Sequence, residues 1–76
     1  MRRQEIVVEV SGMTSADSER EVAQALTAVP GVESATASRH EGHALVTADA
    51  ALATPEKLRA AVEVAGYEAG EVRFPE

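Results

Sequence analysis

Ile6, Val8 and Val10 alternate with Glu5, Val7 and Glu9, and this period of two predicts a strand with one face on a core. The period changes from Asp17 onward. Val22, Ala25, Leu26 and Val29 fall at i, i+3, i+4 and i+7, with Glu19, Arg20, Glu21 and Gln24 turned outward, so the spacing predicts a helix with one apolar stripe, stopped by Pro30 and Gly31. Val32 to Arg39, rich in small and β-branched residues, predicts a second strand, and His40-Glu41-Gly42 a short hairpin connection into a third over His43 to Ala48. Ala35, Ala37 and Ala44 weaken both strands, because alanine offers little surface to a pleated sheet. Thr54 as N-cap and Pro55 at N1 open a second helix, whose stripe is Leu58, Ala61, Val62 and Ala65 and whose C′ residue is Gly66. A last strand is expected within Tyr67 to Arg73, weakened by Gly70.

The element order is βαββαβ, and its halves echo one another. Val22, Ala25, Leu26 and Val29 map onto Leu58, Ala61, Val62 and Ala65 at a constant offset of 36, and each helix is followed by Gly, a large residue and Glu. Two helices with one stripe each need a single sheet face to cover. A four-stranded antiparallel sheet with both helices on one side meets that need, an α+β, ferredoxin-like arrangement. The expected domain is a single one over 1–76, with its core at about 4–73. This fold carries many unrelated functions, so function has to be read from a site.

Composition narrows the field. In 76 residues, 45% are hydrophobic but only 3% aromatic, and fifteen are Ala, which implies thin, closely packed layers. A net charge of −6 argues against a nucleic-acid groove and against anionic membranes as partners. An RNA-recognition module also needs aromatics on its central strands, and here there are none. Arg2 and Arg3 precede an apolar stretch that Glu9 breaks, too short for a signal peptide, and no run approaches the ~20 residues of a membrane span. A cytoplasmic protein is the expectation. The chain contains no Cys, which excludes a disulfide scaffold, a thiolate zinc site and a Cys nucleophile in the molecule as written.

Candidate chemistry gathers in Ser11-Gly12-Met13-Thr14-Ser15-Ala16-Asp17-Ser18, a polar loop feeding a helix N-terminus. On residue types alone this is capping: Ser18 with Glu21 matches a capping box, and Thr14, Ser15 and Asp17 can also accept from free N–H groups. A hydrolase using Ser15 or Ser18 would need a nucleophile elbow, and no Gly-x-Ser-x-Gly is present, so no enzyme is expected. His40 and His43 flank a turn without the i, i+4 spacing of a helical zinc motif and read as solvated turn histidines.

Gly12-Met13-Thr14-Ser15-Ala16-Asp17-Ser18 resembles the Gly-Met-Thr-Cys-x-x-Cys signature of heavy-metal-associated domains, the family of copper chaperones and of N-terminal modules of metal-pumping P-type ATPases, with Ser at both Cys positions. Val29-Pro30-Gly31-Val32, Gly42 and Ala65-Gly66-Tyr67 also sit where that family places comparable residues, so the resemblance runs from about Ile6 to Val72. It implies that Ser15 and Ser18 stand at the metal-ligand positions, with Gly12, Met13 and Thr14 as supporting loop and Met13 buried beneath it. It further implies a Cu(I) cargo, or Zn(II), Cd(II) or Hg(II), in a Cys-containing parent, none in this Ser/Ser form, and a monomer whose partners are a metal-transporting ATPase or a metallochaperone domain. A deliberate Cys-to-Ser exchange and a natural relative that lost its ligands both fit the pattern; the intact Gly-Met-Thr favours the first. The alternative function is a metal-independent interaction or regulatory module on the same fold.

Overall fold

In the computed structural model, which describes residues 3–74, six elements run in the expected order: β1 (Gln4–Ser11), α1 (Ala16–Thr27), β2 (Val32–Ser38), β3 (His43–Ala48), α2 (Pro55–Val64) and β4 (Glu68–Arg73). The strands form one sheet in the order β2-β3-β1-β4, every neighbouring pair antiparallel. This is the ferredoxin-like arrangement. Strand β1 is central, and its alternation sends Ile6, Val8 and Val10 into the core, where they meet Val22 and Leu26 of α1 and Leu58 and Val62 of α2. Both helices therefore bury their stripes on the same side of the sheet. The opposite face stays open, with Leu45 40% exposed beside Val7.

Scarcity of aromatics shapes this core. Ala44, Ala48 and Ala53 are fully buried, so the layers close on methyl groups and backbone as much as on long side chains. The turn after α1 is equally tight. Gly31 has φ +94°, and a Cβ there would stand 2.6 Å from the Leu52 Cβ, so this turn admits only glycine without displacing the loop before α2. Thr54 caps α2 as expected, accepting from Lys57 N–H at 3.3 Å, and Gly66 at φ +98° follows the α2 C-cap Ala65. No helix among the described residues is long and apolar enough to cross a membrane.

Four segments converge at one end of the molecule. The Val10 N–H donates to the Gly42 carbonyl at 3.0 Å, the Arg39 N–H donates to Glu19 Oε2 at 2.7 Å, and Ser11 pairs with Glu68. The C-terminal end of β1, the start of α1, the β2–β3 hairpin and the start of β4 thus share that end.

Candidate functional site

The chain leaves β1 at Gly12, whose φ of +99° turns it across the sheet end, with Tyr67 Cδ1 at 3.5 Å from where a Cβ would stand. Met13 follows, only 9% exposed, and joins the hydrophobic core. The apolar thioether anchors the loop from below, as expected, while Thr14 beside it is exposed.

Ser15 is the N-cap of α1. Its extended backbone (φ −151°, ψ 169°) lets Oγ accept from the Ser18 N–H at 3.2 Å. Ser18 is therefore in the first helical turn and is not the cap, which corrects the expected pairing of Ser18 with Glu21. The physical reason is that α1 starts at Ala16, so the Ser18 N–H is already taken by Ser15 Oγ, and the Glu21 carboxylate accepts instead from the Tyr67 hydroxyl at 2.6 Å. The box is replaced by a tie between α1 and the segment entering β4.

The arrangement brings the two singled-out hydroxyls together. Ser15 Oγ and Ser18 Oγ lie 3.2 Å apart and share a hydrogen bond, and Ser18 is 8% exposed. They meet at the N-terminal end of a twelve-residue helix, where the backbone dipole and the N–H groups of the first turn favour negative charge. Two deprotonated side chains at these positions would be stabilised by that field; two alcohols remain neutral and hold one another.

Tyr67 is the residue that sequence reasoning did not assign to the site. Its only signal was its place after Gly66, a landmark of the family resemblance. The Glu21 carboxylate that accepts from its hydroxyl raises its phenol above the ordinary 10.0, and the nearby Ser18 side chain opposes the shift. The folded state thus holds this proton more tightly than the unfolded chain. The bond's share of stability is full below the unfolded value and is lost as pH climbs through the folded one. Because Tyr67 is the only Tyr and the chain has no Trp, tyrosinate absorbance reads it directly. Glu21→Gln is expected to bring the titration down toward the ordinary value; an unmoved midpoint would show that Glu21 does not set it.

Other polar groups at this end do less. Arg20 reaches Asp17 at 3.8 Å, an exposed pair of little energetic weight. His43 Nε2 lies 3.1 Å from Glu41 Oε1 across the hairpin turn, and among the described residues no three His, Asp or Glu side chains assemble into a set able to hold a metal ion.

The comparisons with known proteins agree with this geometry. The family model described as the heavy-metal-associated domain matches residues 7–68. The fold and sequence are similar to the crystal structure of a copper binding domain from HMA7, a P-type ATPase, at 36% identity and a TM-score of 0.87, covering 96% of this chain and 97% of that one. The oxidized MerP of Ralstonia metallidurans CH34 is 30% identical with a TM-score of 0.83, covering 91% and 96% of the two chains. The N-terminal domain of PacS from Synechocystis PCC6803 is 32% identical with a TM-score of 0.76, covering 96% and 98%. No curated protein sequence matches the chain.

Proposed function

The chain belongs to the heavy-metal-associated domain family, and from that premise we propose that it is a soft-metal cargo domain of the copper chaperone and P-type ATPase type, with hydroxyls at its two ligand positions, Ser15 and Ser18. One observation carries the reading: the two side chains that the family signature would make cysteines meet, 3.2 Å apart, at the mouth of α1. Gly12, Met13 and Thr14 support the loop around them, and residues 4–73 form the core of one such domain. Domains of this family bind and hand on metal and are not enzymes. Here too neither Ser is assigned a catalytic role.

Cu(I) is the cargo the reading favours for a Cys-containing parent, since the structures similar to this chain include a copper binding domain of a P-type ATPase. The chain as it stands binds it poorly, because a serine hydroxyl is hard, neutral and bonded to its neighbour, whereas Cu(I) selects soft thiolate. A copper-transporting ATPase domain or a metallochaperone is the corresponding partner, and the reducing cytoplasm is the compartment in which thiolate exchange runs. Titrating the chain with Cu(I) under reducing conditions should leave the amide resonances of residues 12–18 in place at equimolar metal. Saturable one-to-one shifts in that loop would overturn the claim that the Ser/Ser form is metal-poor.

A second reading, a metal-independent interaction module, is favoured by the rim of the same end. Asp17, Glu19, Glu21, Glu41 and Glu68 cluster around the loop against Arg20 and Arg39, which suits a basic partner surface. Binding of such a partner with equal affinity in the presence and absence of Cu(I) would support it over the first.

A further inference from the structure

The sheet has two edges, and they differ in charge. Along β4, Glu68, Glu71 and Arg73 flank Gly70, charges that discourage pairing with another chain, and each edge carries one register shift, between Val8 and Val10 for β1 against β4 and between Val32 and Ser34 for β2 against β3. Along β2 the uncharged run Ser34-Ala35-Thr36-Ala37-Ser38 lies at the other edge, bonded to β3 on one side only.

The order of residues on this open edge is self-complementary. Glu33-Ser34-Ala35-Thr36-Ala37-Ser38-Arg39 reads the same in both directions about Thr36, except that its two ends carry opposite charges. In an antiparallel pairing of two copies centred on Thr36, Thr36 opposes Thr36, Ser34 opposes Ser38 and Ala35 opposes Ala37, while Glu33, at the register shift of β2, comes near Arg39, just past the strand's end. A cross-strand Thr–Thr pair is stabilising in that position, and opposite charges brought near one another at the two ends of the run add to it. Thr36 and Ser34 are exposed, Ser38 is half-buried, and Ala35 and Ala37 sit half-buried against the core, so the Thr36 and Ala35–Ala37 pairs match by layer as well as by type. Charge supplies the second argument. Among the described residues the Arg39 side chain has no carboxylate partner, while Glu33, 48% exposed at the other end of the run, meets Arg3 at 2.7 Å.

We propose that β2 is a self-association edge, and that two copies pair antiparallel through Ser34–Ser38 about a two-fold axis at Thr36 to form a reversible dimer with a continuous eight-stranded sheet. The sequence had suggested a monomer; this edge makes the state depend on concentration. The β2–β3 hairpin lies at the same end as Ser15 and Ser18, so the two-fold sends the two loops to opposite ends of the dimer and leaves both open. The proposal rests on the fold and is independent of the metal reading.

Sedimentation equilibrium over a concentration series tests it. The expected result is a mass rising from one chain toward two, with amide exchange in residues 34–38 slowing as concentration rises and that in 68–73 unchanged. Thr36→Lys sets like charges against each other on the exposed layer and should hold the protein at the monomer mass. Arg39→Glu should weaken association about tenfold, from two symmetric pairs turned repulsive, and Glu33→Arg added to it should restore the original constant. A monomer throughout the millimolar range, a dimer indifferent to Thr36→Lys, or slowed exchange on β4 in place of β2 would each overturn the proposal.

Discussion

With Ser15→Cys and Ser18→Cys together, the chain is expected to strip Cu(I) from a chelator that the present chain leaves loaded. Three terms act in one direction. The helix end lowers a thiol from its ordinary pKa of about 8.5 toward neutrality, so the ligand becomes an anion that serine cannot supply. Sulfur matches the softness of Cu(I). The loop needs no rebuilding, since Met13 already anchors it and the two side chains already converge 3.2 Å apart. Four-ligand thiolate and imidazole zinc sites supply roughly 10–16 kcal/mol, so a two-thiolate site should gain about half, an affinity ratio of roughly four to six powers of ten. Either single Cys variant should fall far short, because one thiolate leaves the second coordination direction to a hydroxyl. The metal-free, reduced double variant should melt no higher than the present chain. Ser15 is the cap that α1 loses, at about 0.5–2 kcal/mol, whereas Ser18 donates its backbone N–H whatever its side chain.

Leu26→Ala should be the most damaging simple truncation, lowering stability by about 4–5 kcal/mol, the upper end of the range for buried leucines. Leu26 is fully buried in a cluster whose other members include Ala44, Ala48 and Ala53. A cavity shrinks when neighbouring side chains change rotamer, and alanine has none to change. The loss would be a large part of the ~5–15 kcal/mol that holds a domain folded. Urea denaturation of the variant against the parent measures it, and a loss under ~2 kcal/mol would mean that the helices close over the gap.

Strands and helices were legible because their periods are clean. Ile6, Val8 and Val10 could line only one face of a strand, and the α1 and α2 stripes could cover only one side of a sheet. The partial burial of Ala25, Ala61 and Ala65 shows where that pattern overstates: the second position of the α1 stripe and the second and fourth of the α2 stripe carry a methyl group that fills less of the interface. At the loop, the signature singled out Ser15 and Ser18, whose hydroxyls the structure brings together, but capping chemistry misassigned their roles. Both serines, Thr14 and Asp17 can all cap a helix, and the choice falls to Ser15 because α1 begins at Ala16, while Tyr67, forty-six residues from Glu21, holds the Glu21 carboxylate. Local spacing carries no information about such a contact. The self-complementary order along β2 was present in the letters from the start, yet it acquires meaning only once the sheet order makes β2 an edge.

X-ray absorption at the copper edge of the Cu(I)-loaded Ser15→Cys/Ser18→Cys protein tests the central claim most directly, because it reports which atoms surround the metal. Two sulfur neighbours and no histidine nitrogen are expected, with one copper per chain. Copper ligated by nitrogen from His40 or His43, or a protein that stays empty beside a loaded chelator, would contradict it.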